Sequence, residues 1–182
     1  MKHLCLMLIC ILCGSSNLSA QKLATKSGVI TFEASVASFE EVKATHSNVS
    51  AILNTETGEF ASLALVNGFR FKVALMEEHF NENYMESSVY PKTIVKGKIQ
   101  DFDAGLLQDQ FTEYMLKGTI EMHGKTNQIL VPVRIKKMDG DYVLETNFEL
   151  SPADFEIEIP SVVASKIAQT VNVTAMYTLK SK

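Results

Sequence analysis

The stretch LKGTIEMHGKTNQILVPVRI, residues 116–135, decides the fold of this chain. Apolar and polar side chains alternate on both sides of a short His-Gly-Lys-Thr-Asn segment, as in two half-buried strands joined by a hairpin. The second strand contains Pro132, which has no backbone N–H to donate to a neighbouring strand. We therefore predict an edge position or a bulge at Pro132, where the sheet built on this hairpin is least closed.

The same period-two alternation recurs along most of the chain. It is seen in GVITFEASV and NVSAILNT, and again in runs near residues 92–102, 112–123, 127–137, 140–150 and 168–180. The stretch EFASLALVNGFRFKVALM, residues 59–76, predicts a strand that bends at Asn67-Gly68 and resumes over residues 69–75. The resumed strand would direct Phe69, Phe71, Val73 and Leu75 to one face.

One segment follows a different period. In MEEHFNENYMESS, residues 76–88, the side chains of Met76, Phe80 and Tyr84 recur every four residues among acids and amides, which predicts one short helix. The remaining chain contains about eight or nine antiparallel strands at hairpin spacing. That pattern predicts an all-β barrel or sandwich in which each strand has one face in solvent.

The first twenty residues, MKHLCLMLICILCGSSNLSA, have the pattern of a secretory signal peptide. A Lys-His start precedes an unbroken apolar run at 4–13, which is shorter than the roughly 20 residues that a transmembrane helix needs. We predict cleavage after Ala20, which leaves residues 21–182 as one domain in the periplasm or outside the cell. A lipid anchor on Cys13 is the alternative, and Leu12 disfavours it because a small residue normally precedes a lipidated cysteine.

Composition excludes several classes of function. All three cysteines lie in the predicted leader, so the mature domain lacks disulfide and thiol chemistry. It must fold on its apolar core, which a chain of roughly 160 residues can form. Lys2 is the one Lys or Arg of the leader, so residues 21–182 carry 16 basic and 21 acidic side chains, a net charge of −5. Because no basic block is present, nucleic acid is not an expected partner.

The histidines do not form a recognisable catalytic or metal site. His123 ends a strand beside Gly124, and the sequence offers no nucleophile and orienting acid to complete a catalytic set, so we predict a turn residue. A helical metal site would pair His79 with a ligand four residues away, but those positions hold Asn83 and Leu75. We predict no catalysis and no metal. An enzyme acting on a lipid would instead require His79 or His123 inside the barrel beside a carboxylate.

Two stretches in succession resemble the paired signature of the YceI-like family. HFNENYMESSVYPKTIVKGKI, residues 79–99, has that family's His-Leu/Phe start, acidic and amide stretch, Tyr-Pro and extended strand. The family's Gly-x-Leu/Ile-x-x-x-Gly-x-Thr hairpin falls on Gly118, Ile120, Gly124 and Thr126. FELSPADFEIEIP resembles the family's penultimate segment, although Glu156 stands where the family has a glycine. The resemblance covers about residues 27–180.

The resemblance implies an antiparallel, eight-stranded, lipocalin-like β-barrel with one short helical insertion, exported to the periplasm. It implies binding of a long apolar chain such as a polyisoprenoid or an isoprenoid quinone, with fatty acids and amides as further ligands and no other cofactor. It places His79 near the barrel mouth, where its ring would hydrogen-bond a ligand head group; the alternative, which we favour, is a residue that opens the helix and packs over the end of the barrel. A membrane surface is then a candidate site of lipid exchange, and a homodimer is a candidate assembly because family members commonly pair.

Sequence periodicity leaves open whether the inward side chains line a cavity or fill the barrel interior. An eight-stranded barrel can hold one small ligand or be filled by its own side chains, and a filled barrel would serve as a structural or protein-interaction module. Burial of a methylene group contributes about 0.8 kcal/mol, so a five-carbon isoprene unit would gain roughly 3–4 kcal/mol before ordering costs. For the lined barrel, the predicted ligand contacts are Phe69, Phe71, Leu75, His79, Phe80, Tyr84, Tyr114, Leu116, Val131, Val133, Tyr142 and Phe148.

Overall fold

The computed structural model describes residues 22–181, which form a closed antiparallel β-barrel. The predicted leader lies outside the described residues. The strands are β1 Lys22–Ser35, β2 Lys43–Asn54, β3 Glu59–Leu65, β4 Arg70–Phe71, β5 Lys92–Ile99, β6 Thr112–Met122, β7 Lys125–Met138, β8 Asp141–Leu150 and β9 Ile167–Ser181. Their order is β1-β9-β8-β7-β6-β5-β3-β2-β4, and pairing of β1 with β2 closes the circle of eight long strands. The predicted eight-stranded all-β fold is confirmed.

The predicted helix is present and short. Helix α1, Ala74–His79, continues into a wider π-type turn at Phe80–Tyr84. Single 3-10 turns occur at Val66–Gly68, Ala104–Leu106 and Pro152–Phe155. Among residues 22–181, no helix has the length and apolar character that crossing a membrane requires.

The hairpin formed by β6 and β7 has an unbroken register from Thr112↔Ile135 to Met122↔Lys125. His123 and Gly124 form its two-residue turn with φ values of 51° and 73°. Two consecutive positive φ values are the mark of the type I′ turn, whose twist matches that of the flanking strands. His123 is therefore a turn residue, as the sequence predicts.

Strands β7 and β8 separate at Pro132. Their register covers only residues 133–138 of β7, whereas β8 stays paired with β9 as far as Leu150↔Val171. Pro132 has no N–H to continue the ladder, and its carbonyl oxygen accepts the hydroxyl of Thr146 at 2.7 Å. The predicted edge-like position is confirmed, and we call the gap between residues 125–132 and 147–150 the β7–β8 split.

The Pro152–Phe155 turn covers the β7–β8 split. Phe155 is 1% exposed, and the side-chain amide of Asn127 donates to the carbonyl oxygen of Asp154 at 2.7 Å. Lys125 forms an ion pair with Glu156 at 2.6 Å. Glu156 has φ +56°, in the left-handed region that favours glycine, which explains why the resembling family pattern has a glycine there.

The strand predicted at residues 69–75 is wrong beyond Phe71. Within residues 69–75, only Arg70–Phe71 form a paired strand, opposite Thr45 and Ala44 of β2, and α1 begins at Ala74. The carboxylate of Glu77 accepts the backbone N–H of Phe71 at 3.1 Å and contacts the Arg70 guanidinium at 2.9 Å. The Glu77 carboxylate thus satisfies the Phe71 N–H from within the helical segment, where a longer strand would have used a neighbouring strand.

The barrel has two ends with different contents. One end carries the short turns after β2 and β7 and the loop of residues 100–111, and its interior is filled by fully buried side chains that include Leu53, Ile99, Ile135 and Leu179. We call it the filled end. The opposite end, which we call the mouth, carries the longer segments 36–42, 66–91 and 151–166.

Candidate functional site

A cavity of about 490 Å³ occupies the mouth half of the barrel. Its wall is predominantly apolar, drawn from the inward face of the strands and from the three mouth segments. The volume falls within the range of about 300–1,000 Å³ that is typical of small-molecule sites. The sequence leaves open whether the barrel is lined or filled. In the structure, the mouth half is lined around a cavity and the other half is filled by side chains.

The cavity ends at one layer of side chains, which we call the floor. On four successive strands the wall stops at Leu116, Val133, Leu144 and Tyr177, and Phe60 of β3 lies beside Tyr177. The next inward residues on these four strands, two positions further toward the filled end, are outside the wall. Two residues of a strand advance about 6.6 Å, so the boundary of the cavity corresponds to a single layer of inward side chains.

Four phenylalanines form a cluster on the cavity wall. Phe32 of β1 contacts the rings of Phe69, Phe71 and Phe80 with centroid separations of 5.3, 5.6 and 5.2 Å. Phe80 also contacts Phe69 at 5.8 Å and Phe71 at 5.2 Å. Aromatic pairs at such separations contribute about 0.5–1.5 kcal/mol beyond simple burial. The cluster joins β1, the short β4 region and the π-type turn into one apolar surface.

The structure brings nine of the twelve sequence-predicted ligand contacts onto the cavity wall. Contact of these residues with a ligand stays a prediction. Phe80 and Tyr84 belong to the mouth segment of residues 66–91. The nine residues are Phe69, Phe71, His79, Phe80, Tyr84, Leu116, Val131, Val133 and Phe148.

The other three predicted contacts lie outside the wall, which corrects the sequence-based placement. Leu75 is 56% exposed on α1, because the strand that would have directed it inward is a helix. Tyr114 and Tyr142 do point toward the barrel interior, but they lie one layer past the floor. Tyr114 packs against Phe102 of the loop at the filled end, with ring centroids 5.7 Å apart.

The segment of residues 151–166 contributes part of the cavity wall, which the sequence did not predict. Pro152, Ile157, Ile159 and Val163 line the cavity from this segment, which the sequence analysis did not assign to the site. A signal is visible in hindsight, since Ile157 and Ile159 alternate with acidic residues in FEIEIP. Phe32 carries the same period-two signal and lies at the centre of the phenylalanine cluster.

His79 and His123 occupy different environments. His79 lies on the cavity wall, and among residues 22–181 no carboxylate hydrogen-bonds its ring. His123 lies outside the wall, with Nδ1 2.9 Å from the carbonyl oxygen of Phe155 and Nε2 3.0 Å from a carboxylate oxygen of Glu86. Its ring also packs against Tyr90. The side chain of His123 thus joins the Pro152–Phe155 turn to the end of the helical segment.

A third histidine, His46, supports the phenylalanine cluster from behind. It is buried, its Nδ1 accepts the backbone N–H of Asn48 at 3.1 Å, and its ring contacts Phe69 edge to face. Burial, with a further contribution from the Arg70 charge, lowers the pKa of His46. A side chain at Gly68 would overlap the imidazole, so the glycine allows His46 and Phe69 to approach.

The floor contains one buried polar pair. The hydroxyl of Tyr177 lies 2.9 Å from Oγ of Ser62, and burial raises the pKa of Tyr177 to about 12, so the phenol stays neutral. Phe60 packs edge to face on the same ring. A methyl group at Gly28 would lie 2.5 Å from Cδ1 of Tyr177, so the ring occupies the space that a side chain would need.

Metal ligands are not grouped in the described part of the chain. Among residues 22–181 no set of three His, Cys, Asp or Glu side chains is arranged to hold a metal ion.

A model of the YceI-like domain family matches residues 20–179. The chain belongs to the YceI-like family. No curated protein matches its sequence. A polyisoprenoid binding domain from Saccharophagus degradans, implicated in plant cell wall breakdown, has a TM-score of 0.75 and 17% identity, covering 90% of this chain and 99% of that chain.

Two further solved structures have the same fold as this YceI-like domain. Burkholderia cenocepacia BcnA aligns with a TM-score of 0.68 and 12% identity, over 84% of this chain and 96% of that one. The YceI protein of Campylobacter jejuni aligns with a TM-score of 0.58 and 14% identity, over 79% and 88%. At identities this low the likeness establishes the shared barrel fold.

Proposed function

We propose that this YceI-like domain is an exported, non-catalytic carrier that holds an isoprenoid-type lipid, a polyisoprenoid or an isoprenoid quinone, in its cavity. The observation that carries the proposal is the apolar cavity of about 490 Å³ with four phenylalanine rings on its wall. Each buried methylene group of a ligand contributes about 0.8 kcal/mol, so a branched hydrocarbon chain gains affinity without any polar contact.

The choice of an isoprenoid over other lipids rests on a relative. The structural neighbour from Saccharophagus degradans is named a polyisoprenoid binding domain, and it covers 90% of this chain. The mouth end of the cavity adds polar groups where a head group would lie. His79, Glu40 and Lys166 are on the wall there, and we propose that His79 hydrogen-bonds the head group.

Export and exchange are further parts of the proposal. The leader-like residues 1–20 support export, and a carrier outside the cytoplasm would load and release its lipid at a membrane surface. We include a homodimer as the proposed assembly. Native mass spectrometry of the exported protein reports the oligomeric state and the bound lipid in one measurement.

We propose a role without catalysis because neither His79 nor His123 meets both requirements of a general acid or base. A general acid or base needs a position at the substrate and a partner that orients it. His79 has the position on the wall, whereas His123 has the carboxylate partner but lies outside the wall.

The experiment is to express the full chain in a bacterium, isolate the exported protein and analyse it by native and denaturing mass spectrometry. We expect one apolar lipid with a prenyl chain per protein. The control variant is Val173→Trp, which fills the cavity from β9 at an overpacking cost of about 1–3 kcal/mol and should lose the lipid. Wild-type protein that carries no lipid, or carries it equally in the filled variant, would refute the carrier role.

A further inference from the structure

The cavity has a measurable depth. The strand part of its wall runs from Leu150 to Leu144 on β8 and from Met122 to Leu116 on β6, six residue steps in each case. At roughly 3.3 Å per residue, along strands tilted by about 40° to the barrel axis, six residues correspond to a depth of about 15 Å.

This depth can be compared with an extended prenyl chain. Successive Cα atoms are separated by three bonds and about 3.8 Å, so an extended chain advances roughly 1.3 Å per bond. An isoprene unit contributes four main-chain bonds and therefore spans about 5 Å on the same scale. A depth of about 15 Å holds about three such units.

Tyr177 is held in place at the floor of the cavity. Its hydroxyl is hydrogen-bonded to the Ser62 hydroxyl, and its ring packs against Phe60. The space that the ring occupies is available because residue 28 is glycine. Swinging the ring aside would leave a phenol hydroxyl without a partner in a dry interior, which is costly. The residue behind it on the same strand, Leu179, is fully buried in the filled end. An incoming chain therefore stops at Tyr177.

We propose that Tyr177 sets the length of lipid that the barrel accepts: about three isoprene units inside, with any further units outside the mouth. This inference rests on the proposed function and makes it more specific. It identifies the bound part of the ligand as a segment of about twelve main-chain carbons, whatever the total length of the lipid.

The test measures affinity against chain length. Delipidated protein is titrated with prenyl alcohols of two, three, four and six isoprene units, by displacement of a fluorescent apolar probe. We expect affinity to rise at least tenfold from two to three units, and by less than threefold for each unit beyond three. A tenfold rise that continues through six units would overturn the length limit. Absence of binding by all four alcohols would instead refute the proposed function.

Variants on either side of the floor make the test directional. We call the chain length beyond which affinity rises only slightly the break. Tyr177→Ala should move the break from three units to four, because one layer of side chains spans about 5 Å along the barrel axis. Ala175→Phe, one layer closer to the mouth, should move the break to two. Tyr142→Ala is the matched control, since this buried tyrosine lies past the floor and its loss should leave the break at three.

These variants also separate a length limit from general damage. Thermal unfolding by circular dichroism identifies any variant that fails to fold, and the Ala175→Phe shift tests the proposal even if Tyr177→Ala is unstable. Identical length profiles for Ala175→Phe and the wild type, with both folded, would refute the assignment of the floor.

Discussion

The buried Ser62–Tyr177 pair gives the sharpest prediction about stability. Ser62→Ala removes the oxygen that lies 2.9 Å from the Tyr177 hydroxyl and leaves that hydroxyl buried without its partner. An unsatisfied buried polar group costs about 1–3 kcal/mol, so we expect the free energy of unfolding to fall by about 2 kcal/mol. In a domain of this size that loss corresponds to a decrease in Tm of about 4–8 °C.

The double variant distinguishes this cause from simple loss of packing. Tyr177→Phe alone leaves the Ser62 hydroxyl buried and unpaired, and should also be destabilising. Ser62→Ala combined with Tyr177→Phe removes both polar groups, and replacement of both partners by apolar groups is nearly neutral. We therefore expect the double variant to be more stable than Ser62→Ala alone, with a coupling of about 1–2 kcal/mol.

The assay is urea unfolding followed by circular dichroism at pH 7, for the wild type, both single variants and the double variant. Tyr142→Phe serves as the control for removing a hydroxyl from a buried tyrosine outside the pair. Strictly additive losses in the double variant would refute the argument, since they would show that the two hydroxyls do not depend on each other.

Three other predictions concern Tyr177, Gly28 and His123. Because the pKa of Tyr177 is about 12 in the folded state and about 10 when unfolded, stability should fall by about 3 kcal/mol as pH rises from 10 to 12. Tyr177→Phe should remove that part of the alkaline loss in urea unfolding at each pH, and an unchanged pH profile would contradict the assignment. Gly28→Ala should destabilise by more than 1 kcal/mol, because its methyl group would lie 2.5 Å from the Tyr177 ring; a Tm equal to that of the wild type would argue against this placement. His123→Ala should raise amide hydrogen exchange at Glu156 and Ile157 about tenfold by loosening the Pro152–Phe155 turn, and exchange that rises equally throughout the barrel would contradict a local role.

The strands and the closing hairpin could be predicted because their signals are local. The inward and outward alternation of residues 116–135 follows from which side chains water solvates, and the turn at His123-Gly124 follows from the need for two positive φ values. Pro132 marks the point where β7 leaves β8, because a missing N–H is a property of one residue.

The depth of the cavity could not be predicted because it is a collective property. In sequence, Tyr114 and Leu116 have the same inward phase, yet one lies past the floor and the other lines the cavity. The difference arises from side chains on distant strands, such as Leu53 and Leu179, which fill the space at one end. Period-two alternation states which face a residue occupies and contains nothing about its height along the barrel.

The placement of Leu75 failed for a different reason. The alternation of Phe69, Phe71, Val73 and Leu75 is compatible with a strand, but the Glu77 carboxylate provides a competing acceptor for the Phe71 backbone. The Phe71 N–H donates to this carboxylate six residues ahead, and the alternation favours extension only weakly. The same alternation correctly placed Phe69 and Phe71 because both precede the point where the helix begins.

The β7–β8 split has a mechanical consequence. Along residues 125–132 of β7, the docked Pro152–Phe155 turn holds the wall in place of a backbone ladder to β8. Parting β7 from β8 along this stretch breaks a few side-chain bonds and spares the ladder at residues 133–138, so the wall can open here without unzipping the sheet.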